Sequence, residues 1–376
     1  MSQPLPQAMQ QVVERLLAFI GQDTCTEAQF NAMALDLFAF QFEHNAPLRN
    51  FCQRRGLTPR RVQHWQDIPA VPISAFKDAT LTCLDAEHCE RVFMTSGTSR
   101  GEIKGRNYHP TIAVWDLSMR SNFARRFVQK LSRDYGSGAK RMPMLLLFPD
   151  ESQTQNSSLA RYLTQAAQSF GETQGALRNQ CFVSAQGLDI ESLRRVLDIA
   201  IAQAKPVALL GASYSFVHLM DAFQAEGKSY RLPLGSMILD TGGYKNQARD
   251  LALDAFYEGL SKAFGVRREH CINMYGMTEL SSQFYDKGNA TLPSVKSGPH
   301  WLRTRVLDPL TGLDMPSGEV GLLAHYDLAN FNASLAILTE DVGIAVEGGF
   351  QLLGRAQGAQ AKGCSLAVQE FLELSR

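Results

Sequence analysis

Four short apolar runs, MPMLLLF (142–148), QCFVSA (180–185), PVALLG (206–211) and LGSMILD (234–240), alternate with stretches of helical spacing at 157–170, 189–204 and 213–226. No other feature restricts the fold so tightly. A run that is apolar at nearly every position suits a strand covered on both faces, and the intervening helices supply the crossovers that parallel pairing needs. The pattern predicts β-α-β units and a largely parallel sheet. A further helix at 247–264 and a strand through Cys271, Ile272 and Met274 continue it.

The flanks read differently. Apolar residues recur at helical spacing over 8–20, closed by Gly21, and over 26–40, so two N-terminal helices are expected. Between Leu57 and Lys77, Pro59, Pro69 and Pro72 limit regular structure and predict an irregular connection. After Pro299 two extended stretches surround the turn-prone DPLTG (308–312), which predicts antiparallel pairing, and a short helix is expected from about Ser365. No internal repeat or low-complexity block interrupts this order.

Charge and cysteine usage narrow the class. Lys plus Arg and Asp plus Glu both number 37 in 376 residues, so no net positive field draws the chain to nucleic acid or anionic lipid. Seven scattered cysteines suit a reducing compartment better than a disulfide scaffold. The N-terminus lacks a signal-peptide pattern, and no run of eighteen apolar residues occurs, so a soluble cytoplasmic protein with no transmembrane segment is expected.

The chemistry is concentrated in a few segments. TSGTSRGEIKG (95–105) sets Thr95, Ser96, Thr98 and Ser99 around Gly97, with Gly101 and Lys104 beyond. Phosphate oxygens need closely approaching backbone N–H groups, hydroxyl donors and a cation, and this segment offers all three; a flexible surface turn has the same composition. The GxxxxGK[ST] spacing of an ordinary NTPase loop is absent. In LDTGGYK (239–245), Gly242 and Gly243 come after a predicted parallel strand, where a nucleotide can approach the backbone or a tight turn can simply lead into a helix. NMYGMTEL (273–280), TED (339–341) and LGRAQGAQAKG (353–363) complete the set.

Taken in this order, the five segments resemble the motifs of the adenylate-forming superfamily, which includes acyl-CoA synthetases and firefly luciferase. The resemblance implies ATP and Mg²⁺ as cofactors. It also implies that Tyr275 lies against adenine, Thr278 contacts the phosphoryl end and Glu279 holds the metal. Gly242 and Gly243 become candidates for the adenine pocket. Asp341 would hold the ribose hydroxyls, and Arg355 would contact ribose or phosphate. Glu340 departs from the usual glycine of its motif, and the hinge residue and terminal Ile-Lys pair are not cleanly reproduced.

Only 21 residues, 356–376, come after Arg355, too few for the superfamily's usual second domain with its catalytic lysine. In its place KGCSLAVQEFLE (362–373) looks like the end of acyl-protein synthetases of the LuxE type. That resemblance runs over roughly 70–376. It implies an adenylate-forming (ANL-type) α/β large domain with a shortened C-terminal appendage, divided as an N-terminal helical region (1–70), the main domain (71–353) and a short segment carrying Cys364 (354–376). The implied activity is ATP-dependent activation of a carboxylic acid, with a fatty acid as the expected class, to the acyl-adenylate. Transfer to Cys364 and then to a partner such as a fatty-acid reductase or another acyl acceptor protein would complete the sequence. Gly363 before the cysteine, the helical run after it and Lys362 two residues ahead of it all favour a thiolate; a buried apolar filler is the other reading. Two alternative functions stand beside this one, an acid-CoA ligase of the phenylacetate-activating type and a non-catalytic nucleotide-binding or partner-docking protein.

Other signals are weaker. Cys83, His88 and Cys89 lack a second pair at zinc-like spacing, GASYS (211–215) fails the GxSxG nucleophile pattern, and His109 and His300 read as structural polar residues. LLGASYSFVHLM suits a buried helix as well as an acyl tunnel.

Overall fold

In the computed structural model, the described residues are 4–96, 103–130, 141–242, 248–249, 251–358, 367 and 369–375. The chain folds into two compact units. One comprises Asn122–Gly276 and Phe284–Lys296; the other comprises Met1–Ser121, Met277–Gln283 and Ser297–Arg376.

The first unit is built on the predicted parallel sheet. Among the described residues its strands run, edge to edge, Phe284–Tyr285, Cys271–Tyr275, Met237–Thr241, Ala208–Ala212, Met144–Leu147 and Gln180–Cys181. All neighbours pair in parallel except the first two. The three central strands are buried at every position, which is why they read as continuous apolar runs. Gly211 makes one pairing possible: a Cβ there would lie 2.7 Å from Leu147 Cβ and 2.8 Å from its carbonyl oxygen.

Helices Ser158–Phe170, Ile190–Ala202, Ser213–Ala225 and Leu253–Phe264 connect these strands. Ser157 and Asp189 cap the first two by accepting from Ala160 N and Ser192 N. Gly265, at φ 68°, ends the last in the left-handed conformation open to glycine. Two expectations change here. QCFVSA is two pieces, because only Gln180–Cys181 joins the sheet while Val183–Ser184 turns into a hairpin with Gly187–Leu188. The last helix begins at Leu253, six residues later than the spacing predicts.

The second unit combines N-terminal helices with an antiparallel sheet. Gln7–Ile20 and Glu27–His44 match the predicted pair, and Thr26 and Gln29 form a reciprocal capping box at the start of the second. A helix that the apolar spacing does not announce, Ala46–Arg54, comes next. Asn45 caps it, and Pro47 lies in its first turn, where a missing N–H costs nothing. The proline-rich connection holds a two-residue strand, Val71–Pro72, parallel to Ala336–Val346.

The predicted antiparallel region is Leu302–Leu307, Val320–Asp327, Ala336–Val346 and Gly349–Arg355, each paired with the next. The expected C-terminal helix is present over 369–375. Fully buried Phe371 packs with its ring centroid 5.0 Å from that of Phe51 on the Ala46–Arg54 helix, and Glu370 receives two hydrogen bonds from Arg55 at 2.9 and 3.3 Å.

Candidate active site

Strands Arg91–Met94 and Arg106–His109 pair antiparallel and flank the Ser/Thr/Gly-rich segment. The pairing continues one residue further, where Thr95 N donates to the Gly105 carbonyl at 3.0 Å and Gly105 N donates to Thr95 Oγ1 at 2.9 Å. Thr95 and Gly105 therefore close the base of the segment. Ser96 and Lys104 are exposed. Gly97, Thr98, Ser99 and Gly101 lie outside the described residues, as do Gly243 and Cys364.

Glu279 meets this base. Its Oε1 stands 3.2 Å from where a Cβ on Gly105 would lie, and Thr95 Cγ2 stands at the same distance. Any side chain at 105 would press on the carboxylate, so glycine is what gives Glu279 its place. Glu279 is only 5% exposed, so it is not a solvated turn residue.

The turn carrying Glu279 is held by groups far away in sequence. Asn107 Nδ2 donates to the Thr278 and Glu279 carbonyls at 3.1 and 3.2 Å, and Asn330 Nδ2 donates to the Glu279 carbonyl at 2.9 Å. Asp327 accepts from Ser281 N at 2.8 Å and from Ser282 Oγ at 2.7 Å. Burial raises the Asp327 carboxyl to about 6, against the pull of those donors. Motif spacing does not point to Asn107, Asp327 or Asn330. The available signal is the run of polar residues in AHYDLANFNAS (324–334), which interrupts a region otherwise reading as strand.

Asp341 and Arg355 come together as register partners on adjacent antiparallel strands, with Arg355 Nε 3.3 Å from Asp341 Oδ1. Glu340, the departure from glycine, is accommodated outward: its Oε2 accepts from Arg355 Nη1 at 2.6 Å. The arginine is largely exposed, so these pairs contribute little stability.

In the parallel-sheet unit, Met274 pairs with Thr241, and Thr241 Oγ1 donates to the Met274 carbonyl at 2.8 Å. The residues next in line, Gly242 and Tyr275, are thereby neighbours at the carboxyl edge of the sheet, where α/β folds bind ligands. Gly242 has φ 76°, which favours glycine, and Tyr275 packs 5.8 Å from Phe284. Ser213 Oγ lies 2.9 Å from Asp240 Oδ2, 3.1 Å from the Thr241 carbonyl and 3.0 Å from the Gly242 carbonyl, and so fixes the exit from the strand. GASYS is a strand end and helix start whose two serines, Ser213 and Ser215, are both buried.

Beneath this edge lies a buried charged network. Lys296 Nζ donates to Asp286 Oδ2 at 2.8 Å, Asn273 Oδ1 at 2.6 Å and the Asn273 carbonyl at 3.1 Å, using all three of its N–H groups. We expect Lys296→Met to cost about 3–5 kcal/mol, because it leaves the Asp286 charge buried without its cation. A thermal melt unchanged from the wild type would refute this.

Asp240 in the same network is raised to about 6, chiefly by burial, while Asn273, Ser213 and Lys296 pull it down and Asp286 pushes it up. A carboxyl raised on folding contributes stability that is complete below its unfolded value near 3.8 and is lost as pH rises through about 6. Asp240→Asn removes this dependence. The stability of the variant relative to wild type should therefore improve steadily from pH 4 to pH 6.5, read from denaturant midpoints; a constant difference would overturn the assignment.

The parallel sheet of one unit and the antiparallel sheet of the other are those of an adenylate-forming (ANL-type) α/β fold. Solved structures support the fold. The chain superposes on the open conformation of 2-hydroxyisobutyryl-CoA ligase in complex with 2-HIB-AMP and CoA with a TM-score of 0.61 at 13% identity, over 88% of this chain and 69% of that one. The same enzyme in its postadenylation state with 2-HIB-AMP gives 0.61 at 14% identity, over 89% and 69%.

The family described as Acyl-protein synthetase, LuxE matches residues 19–373, and the chain belongs to that family. It is an ATP-dependent carboxylic-acid ligase. Two relatives carry the name long-chain-fatty-acid–luciferin-component ligase. The protein of Vibrio harveyi is 26% identical over 89% of this chain and 85% of its own length. That of Aliivibrio fischeri is 24% identical over 90% and 87%. No helix among the described residues is long and apolar enough to cross a membrane.

Proposed function

We propose that this chain activates a fatty acid with MgATP and carries the acyl group on Cys364. A carboxylate oxygen of the acid attacks the α-phosphorus of ATP, and pyrophosphate leaves. The Cys364 thiolate then attacks the carbonyl carbon of the mixed anhydride, the bond to AMP breaks, and AMP departs. The thioester passes to an acceptor protein of the fatty-acid-reductase type. The names of the Vibrio and Aliivibrio relatives support the fatty acid.

The observation that carries the reading is the buried Glu279 carboxylate beside Gly105, at the base of the hydroxyl-rich segment. A buried carboxylate is a hard oxygen donor of the kind Mg²⁺ accepts. No group of three or more His, Cys, Asp or Glu side chains forms a metal cage among the described residues. One carboxylate plus substrate phosphates is the usual alternative. Mg²⁺ held by Glu279 would supply neutralisation of phosphoryl charge. Thr95, Ser96, Gly97, Thr98, Ser99 and Gly101, with Lys104, would bind the phosphates; Thr278 would contact the phosphoryl end. Tyr275, Gly242 and Gly243 would hold adenine, and Asp341 and Arg355 the ribose.

ATP–pyrophosphate exchange over a panel of fatty acids tests this. Exchange should require both the acid and Mg²⁺ and should cease when the metal is chelated. Nucleotide binding without exchange for any carboxylic acid would reduce the chain to a binding protein.

A further inference from the structure

The side chain of Asn330 sits directly behind Glu279. Its Nδ2 donates to the Glu279 carbonyl at 2.9 Å and to the Ser334 carbonyl at 2.7 Å, and its Oδ1 accepts from Asn107 Nδ2 and Ser281 Oγ, both at 3.2 Å. A primary amide has two N–H groups and two lone pairs, and every one is engaged. The group is 2% exposed, so a lost bond is not replaced by bulk water.

The backbone of Asn330 is gripped in turn. Its N–H donates to the Asp327 carbonyl at 3.0 Å. Gln41, on the Glu27–His44 helix, donates from Nε2 to the Asn330 and Phe331 carbonyls at 2.9 Å each and accepts from Leu335 N at 3.0 Å. Gln41 is fully buried although its helix is predominantly a packing element. The N-terminal region thus holds the 327–335 loop, and the loop holds the turn that carries Glu279.

On its other side the Glu279 carboxylate meets Gly105 with so little clearance that even a methyl group there would press on it. Glu279 therefore has its carboxylate beside Gly105 and its carbonyl held by an amide that cannot turn without losing bonds. We infer that Asn330 is a positioning residue that sets the metal-holding geometry of Glu279, with Gln41 as its outer support. The inference rests on the reading of Glu279 as the Mg²⁺ carboxylate. Groups that orient a metal ligand through hydrogen bonds typically change metal affinity by about 10–100-fold when removed.

Asn45 provides the control. Its Nδ2 donates to the Ala333 carbonyl at 2.7 Å, so it braces the same loop with the same kind of buried amide, but its bond reaches the loop three residues away from Asn330. The experiment compares Asn330→Ala, Gln41→Ala, Asn45→Ala and Glu279→Gln in the full chain. Mn²⁺ binding in the presence of α,β-methylene-ATP is monitored by electron paramagnetic resonance, and the Mg²⁺ dependence of ATP–pyrophosphate exchange and the melting temperature are recorded alongside.

Asn330→Ala should weaken Mn²⁺ binding and raise half-saturating Mg²⁺ by about tenfold, with exchange recovering to within about threefold of wild type at saturating metal. Gln41→Ala should shift both in the same direction by about threefold. Asn45→Ala should lower the melting temperature without moving either. A folded Asn330→Ala with wild-type metal dependence, or an Asn45→Ala that shifts it equally, overturns the inference. If Asn330→Ala does not fold, a folded Gln41→Ala without a shift overturns it. Glu279→Gln separates the two levels: wild-type metal dependence there defeats the reading of Glu279, whereas a shift there and none at Asn330 defeats only the positioning role.

Discussion

Cys364→Ser is expected to retain acid-dependent ATP–pyrophosphate exchange to within about threefold while losing the hydroxylamine-sensitive acyl-enzyme, because a thiolate is available near neutral pH and a serine alkoxide is not. Adenylation precedes thioester formation, so the exchange does not need the thiol. Four of the other cysteines are poor competitors: burial pushes the Cys52 thiol up to about 12 and Cys89 up to about 11, and raises Cys83 and Cys271 as well. Cys181 is exposed, with its sulfur 3.1 Å from the Phe148 carbonyl and 3.4 Å from the Val183 carbonyl. Cys25 is half-buried with its thiol donating to the His300 carbonyl at 3.4 Å. An acyl thioester in the variant mapped to Cys25 or any other cysteine would refute the role of Cys364. Release of acyl-CoA by a wild type that never becomes acylated would make the protein an acid-CoA ligase.

Glu279→Gln should lower exchange by at least about a hundredfold, the equivalent of the several kcal/mol that a metal at a developing phosphoryl charge contributes. Side-chain volume is nearly unchanged, so the packing around the 5%-exposed side chain is kept and the melting temperature should hold. Loss of soluble protein, with normal exchange in what survives, would show that Glu279 stabilises the fold and does not serve the reaction.

The parallel sheet is legible because its central strands are buried on both faces and must be apolar throughout, and the helices between them carry their own spacing. The antiparallel strands after Pro299 are legible from the DPLTG turn. The Ala46–Arg54 helix is not, because Pro47 reads as a breaker until its place in the first turn is known. Nor is the split of QCFVSA, since nothing local distinguishes a strand in the sheet from one leaving it. For the candidate site, short motifs point to Thr95, Glu279, Asp341 and Arg355, while no motif points to Asn107, Asp327, Asn330 or Gln41.

That difference has a physical origin. Backbone conformation, apolar periodicity and the order of chemical motifs are local properties, and the chain carries them wherever it lies; they reach as far as an α/β adenylate-forming fold and a named carboxylate. Which groups hold the turn that carries that carboxylate depends on contacts between residues far apart in sequence, Gln41 with Asn330 and Asn330 with the Glu279 carbonyl. An amide on a helix gives no local sign of whether it faces water or a buried carbonyl. Tertiary packing decided that these polar groups are buried and mutually satisfied, and that Gly105 leaves just the space the Glu279 side chain occupies.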